Sequence, residues 1–299
     1  MKTSLYLAGL LALAACSTTD KKPATDASGR VVDVKELPAE NSELLRAYAR
    51  GGEEWSAAKA KALARPELAR FLVDNLTLEM IRAYRAFGGV DHDRAQRAFV
   101  RAKGELVSMP EQSAPVLVAL LEVADPVAAD VASAALEEIG KPAIEPTLAL
   151  VAHGDVDVRQ RAALLLGKLP PGGSSLEPRV REQLVQRLGL EPDWLARASL
   201  AKTIGRRGSL DTVATPWREA LERALGDTDP AVADAAAEGL IELGDERAIP
   251  TLIDVLERAG KSGQVARFGA AQRALVRLSG QAEKPSVAAW REWWAARAR

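Results

Sequence analysis

Residues 227–259 read DTDPAVADAAAEGLIELGDERAIPTLIDVLERA, one complete structural unit whose pattern returns along the chain. Asp229 supplies an N-cap carboxylate, and Pro230 fills the first helical position, where a missing N–H is harmless. Val232, Ala236, Leu240 and Leu243 then recur at helical spacing, and Gly244 stops the helix in the left-handed region. A further helix carries Ile249, Leu252, Ile253 and Leu256 on one face. Neither helix can bury its apolar stripe alone, so the unit is stable only when stacked on neighbours.

Working outward, the pattern becomes countable from Pro115. A proline opens the first helix of each pair at Pro115, Pro146, Pro178, Pro216 and Pro250, with spacings of 31, 32, 38 and 34 residues. Second helices are opened by Asp125, Asp155, Asp193 and Asp229, with Gln264 in the fifth equivalent place. Asp125-Pro126 and Asp229-Pro230 lie 104 residues apart, and so do Pro146-Thr147-Leu148 and Pro250-Thr251-Leu252, so two separate motifs share one register. Between Pro146 and Pro178 lies Pro170-Pro171-Gly172-Gly173-Ser174-Ser175, whose composition is that of an inserted loop. The fold class that follows is all-α, a solenoid of about five helix pairs.

Gly154-Asp155-Val156-Asp157-Val158-Arg159 with Ala162, Ala163 and Leu166, and Asp227-Thr228-Asp229-Pro230-Ala231-Val232 with Ala236, Ala237 and Leu240, resemble bacterial HEAT-like repeats of the phycobilisome-lyase type. The resemblance is good over residues 113–280 and weak over 42–109. It implies a HEAT/armadillo-like α-solenoid superhelix used as a scaffold or protein-binding surface. It brings no reaction with it, because the motif is structural: Asp is the cap and the apolar positions are the seam.

The N-terminal stretch carries a different signal. Lys2 is followed by a short apolar run from Leu5 to Ala15, too short to span a bilayer and built like a signal peptide. It ends Leu13-Ala14-Ala15-Cys16, which resembles the lipobox of bacterial lipoproteins, whose cysteine becomes the lipidated first residue. By the same resemblance, Ser17 after the cysteine points to the outer membrane of a Gram-negative envelope, on its periplasmic or surface face. Residues 1–15 are then leader and 16–41 a polar tether, in which ~20 extended residues reach at most ~70 Å. Residues 42–111 read as an irregular N-terminal helical cap made of atypical repeats. Leu68, Leu72, Leu76 and Met80 follow one another at helical spacing there, with Phe71 and Ile81 widening the face. Repeats fill 112–280, and 281–299 form a closing helix.

Composition narrows the chemistry. The 299 residues are 47% hydrophobic but only 4% aromatic, which suits helices packed through small residues. A formal net charge of −1 gives no global field for nucleic acid. Cys16 is the only cysteine, so neither an internal disulfide nor a thiolate metal cluster can form. His92 and His153 are the only imidazoles and read as turn residues, His153 favourably placed near a helix C-terminus. HEAT-like deoxyhypusine hydroxylases use His-Glu pairs for iron, whereas here His92 precedes Asp93 and His153 precedes Gly154. No phosphate loop or nucleophile elbow is present, so the chain reads as non-catalytic, with no cofactor, metal or small-molecule substrate expected. The expected partner is a protein. The alternatives are a self-associating structural envelope component and an enzyme whose site lies in the irregular N-terminal region.

Two surfaces stand out. Aligning the repeats places Asp234, Glu238 and Glu242 opposite the apolar seam. The aligned positions are Asp130 and Glu138 in the first repeat, Gln160 and Lys168 in the second, Lys202 and Arg206 in the third, and Arg273 and Arg277 in the fifth. Residues 226–259 hold nine acidic and two basic residues, a net of −7, while 260–299 hold two acidic and eight basic, a net of +6. This graded ridge is the candidate partner surface, unless neighbouring stripes only neutralise one another. Trp290, Trp293 and Trp294 share one face of the last helix and read as a cap over the final repeat.

Overall fold

The computed structural model describes residues 24–25, 31–32, 38–173 and 175–297; the leader and Cys16 lie outside the described residues. Among the described residues there are fifteen α-helices joined by short loops and single 3-10 turns. Inside the expected tether, Ala24–Thr25 (β1) pairs antiparallel with Val31–Val32 (β2), Ala24 opposite Val32 and Thr25 opposite Val31. Thr25, Val31 and Val32 are β-branched and favour extended backbone, a preference obscured by the polar composition of the segment.

The chain divides into two compact units, 1–146 and 147–299. In the first, α1 (Ala39–Arg50) begins three residues before the expected Ser42 and is followed by α2 (Gly52–Leu63). Gly51 and Gly52, at φ 75° and 66°, make the break between them. The long helix α3 (Pro66–Arg85) buries Leu72, Leu76, Met80 and Ile81 and packs on α4 (His92–Val107), α5 (Pro110–Ala119) and α6 (Pro126–Ile139). One expectation is corrected here: α5 opens at Pro110, and Pro115 lies inside it. Pro110 occupies the N1 site that a proline fits, whereas Pro115 leaves the Glu111 carbonyl without its helical donor.

In the second unit the pairing follows the repeat closely. After α7 (Ile144–Ala149), second helices α8 (Val156–Lys168), α10 (Trp194–Gly208), α12 (Pro230–Leu243) and α14 (Val265–Ser279) pack side by side. First helices α9 (Glu177–Leu190), α11 (Thr215–Ala224) and α13 (Ile249–Lys261) back them, with Pro178, Pro216 and Pro250 in the first turn. The closing helix α15 (Val287–Arg297) packs on α13.

The caps explain these boundaries. Asp125 accepts from the Val127 and Ala128 N–H groups, Asp155 from Asp157, Asp193 from Ala196 and Asp229 from Ala231. Gln264 caps nothing with its side chain. Gly244 and Gly280 end α12 and α14 in the left-handed region, at φ 69° and 65°. Val232, Ala236 and Leu240 of α12 are fully buried, as are Ile249 and Leu252 of α13. Helices α10 and α12 approach most closely where glycines meet: a Cβ on Gly205 would lie 2.3 Å from the Cα of Gly239. Beside them Thr203 Oγ1 donates to the Ala163 carbonyl at 2.8 Å, tying α10 to α8.

Candidate functional site

The small residues that draw α8, α10 and α12 together also leave a groove above them. Gly167, Thr203 and Gly239 line it, with Lys202 and Arg206 from α10 and Glu238 and Glu242 from α12 along its sides, and its volume is about 360 Å³. A second groove of about 590 Å³ continues from Glu238 across Gly269 to Arg273 and Arg277 on α14. Nine of the eleven aligned ridge positions therefore stand on four neighbouring helices of the second unit, α8, α10, α12 and α14. Asp130 and Glu138 belong instead to α6 of the first unit, where Lys103 pairs with Glu138.

Charge neutralisation within this row is incomplete. Arg273 of α14 pairs with Asp234 and lies 3.9 Å from Glu238. Lys202, Arg206, Glu242 and Arg277 are exposed and make no ion pair among the described residues. From α10 to α14 the sides of the two grooves run positive, negative, positive.

A second set of charges was not singled out by sequence. Arg159, four residues after the Asp155 cap, donates through Nη1 to the His153 and Gly154 carbonyls, both at 2.9 Å. Its Nε and Nη2 grip Glu191 of the next repeat, both at 2.8 Å. Arg197, four residues after Asp193, repeats the arrangement: Nη1 donates to the Glu191 and Pro192 carbonyls, and Nε and Nη2 reach Asp227 at 2.8 and 3.0 Å. Each gripped acid also accepts an N–H two residues on, from Asp193 and Asp229. Burial by itself raises the Glu191 carboxyl, but the hydrogen bonds from Arg159, Arg187 and the Asp193 N–H outweigh it and hold the group at about 2. Deeper still, Arg207 is 1% exposed, donating to Glu177 at 2.9 and 2.6 Å and to the Leu166 carbonyl at 2.7 Å. The Arg159 and Arg197 clamps fix one repeat against the next, while Arg207 joins the two helices of its own pair and reaches back to α8 through the Leu166 carbonyl. The signal that could have found them is an Arg four residues after an Asp cap, matched by an acid two residues before the next cap.

Of the three closing tryptophans, Trp290 is fully buried, while Trp293 and Trp294 are partly exposed and continue a ring series at 5.7 and 5.9 Å. Arg291 of the same helix reaches Asp254 and Glu257 of α13 at 3.0 and 2.5 Å. The His92 ring donates to the Phe87 carbonyl at 2.7 Å, and His153 Nδ1 accepts the Asp155 N–H at 3.1 Å, so both imidazoles serve their own turns. In the first unit a groove of about 500 Å³ is lined by Leu45, Leu78, Glu79, Arg82 and Ala95. Burial raises the Glu79 carboxyl, opposed by nearby Tyr48 and Arg101. Among the described residues no group of three or more His, Cys, Asp and Glu is arranged to hold a metal ion, and no helix is long and apolar enough to cross a membrane.

Residues 182–275 match the family model of HEAT repeats. No curated protein matches the chain in sequence. Among solved structures, it is similar to the complex of CpcE and CpcF of phycocyanin lyase from Nostoc sp. PCC7120, at 22% identity and a TM-score of 0.45, over 54% of this chain and 98% of that one. It is also similar to an engineered protein, at 20% identity and a TM-score of 0.43, over 82% of this chain and 98% of that one. The capped, clamped helix pairs of residues 182–275 are thus HEAT repeats, and the fold class of the chain is an all-α solenoid.

Proposed function

We propose that the chain is a non-catalytic, lipid-anchored scaffold of the bacterial cell envelope, holding a protein partner on the row formed by α8, α10, α12 and α14. One observation carries the interface: Lys202, Arg206, Glu242 and Arg277 border two grooves and have no ion-pair partner among the described residues. Stacked helix pairs present such a row on a rigid frame, which suits recognition of another chain. The anchor rests on the Leu13-Ala14-Ala15-Cys16 sequence, and its placement at the outer membrane on Ser17. Two or three acyl chains at ~0.8 kcal/mol per buried CH₂ hold a protein stably where one does so only marginally.

Both parts have a direct test. Mass spectrometry of the mature N-terminus should show an acylated Cys16, and Cys16→Ser should release the protein from the membrane fraction. An unmodified Cys16 or a retained Met1 contradicts the anchor. Mild crosslinking in intact cells should recover a distinct protein through the row. Recovery of the chain joined only to itself would favour a self-associating envelope component instead.

A further inference from the structure

We infer that the row takes an extended peptide segment of its partner, laid across the helices and carrying acidic, basic and acidic side chains at three-residue spacing. This rests on the reading of the row as a protein-binding surface and specifies what occupies it.

Three observations lead there. The first is the direction of the grooves: one crosses from α8 over α10 to α12, the next continues from α12 to α14, and Glu238 belongs to both. A ligand following them runs across the helix row rather than along one helix. The second is the floor between Glu238 and Arg277: a Cβ on Gly269 would have only the Arg273 guanidinium within 4 Å, so no side chain there holds a ligand backbone off.

The third is charge. Lys202 and Arg206 on α10, Glu242 on α12 and Arg277 on α14 keep their charges uncompensated by ion pairs among the described residues, so a ligand can supply each missing partner. Packed neighbouring helices lie about 8–10 Å apart. In a polyproline II segment, residues i and i+3 share a face and lie about 9 Å apart, one charge for each helix crossed. The positive, negative, positive order is symmetric, so an acidic, basic, acidic segment matches it in either chain direction.

The test uses the full chain and fluorescence anisotropy at low salt with three labelled peptides. The first is acetyl-GEPPKPPEG-amide; the second exchanges its Glu and Lys residues; the third has the composition of the first with its three charges contiguous. The first should bind at least ten-fold more tightly than either other. The preference over the second should reverse in a chain carrying Lys202→Glu, Arg206→Glu, Glu238→Lys and Glu242→Lys, all at exposed positions. Equal affinities, an unreversed preference, or no binding up to millimolar peptide overturns the extended-segment inference. If the four-fold variant nonetheless loses the partner crosslinked by the wild-type chain, the scaffold reading stands without it. If it keeps that partner, both fall.

Discussion

Arg207 and Glu177 leave water together, at 1% and 6% exposure, and each satisfies the other through two hydrogen bonds. Truncating one partner strands the other charge in the interior. Arg207→Ala should therefore cost about 3–5 kcal/mol, while the double variant Arg207→Met with Glu177→Leu costs clearly less, as denaturant titration of the two variants beside the wild type will show. Glu191 makes the pH counterpart. Its folded value of about 2 lies below the usual 4.5, so its contribution is complete above the usual value and is lost as pH falls from there towards 2. The contribution is of order 2 kcal/mol. Glu191→Gln should lower the melting temperature at pH 7 and flatten its decline between pH 5 and 3; a parallel decline in both proteins would contradict this. The Asp caps were legible in sequence because a cap answers to N–H groups two or three residues away. The Arg clamps were not, because Arg159 and Glu191 lie 32 residues apart and a charged residue in a repeat looks like surface.

At the scale of helices, the same residue type has opposite effects at two places. A Cβ on Gly205 would collide with the backbone of Gly239 in α12, whereas one on Gly104 of α4 meets nothing within 4 Å. Gly205→Ala should destabilise by about 1–3 kcal/mol or more by forcing α10 and α12 apart. Gly104→Ala should stabilise by roughly 0.5–1 kcal/mol through helix propensity. Thermal unfolding of the two variants checks both signs. Helix α15 is secured chiefly by one ring. Sequence placed Trp290, Trp293 and Trp294 on one face, but burial depends on what that face meets, and only Trp290 is enclosed. Trp290→Ala should cost about 3–5 kcal/mol and Trp293→Ala much less, measured by chemical denaturation. Because the Trp290 indole N–H has no acceptor among the described residues, Trp290→Phe should lose far less than the alanine variant. The start of α5 was misplaced for a related reason: proline suits an N1 site, but Pro115 shows that packing can also hold one inside a helix.

For the molecule as a whole, periodicity and register carried the repeats because stacked pairs reuse one local solution. The ridge positions were likewise legible from alignment, which put Lys202, Arg206, Glu238, Glu242, Arg273 and Arg277 in equivalent places. What alignment could not supply was which of them neutralise one another, since that depends on side-chain reach between helices: Arg273 meets Asp234, while Glu242 meets no cation among the described residues. The grooves were also hidden, arising from glycines whose effect appears only when helices meet. The central claim is that the unpaired charges hold a protein partner, and it is tested most directly by crosslinking in intact cells with the wild-type chain and the Lys202→Glu, Arg206→Glu, Glu238→Lys, Glu242→Lys variant. A distinct partner joined to the wild type and lost from a variant of unchanged melting temperature is the predicted result; the same partner recovered in equal yield from both chains would contradict it.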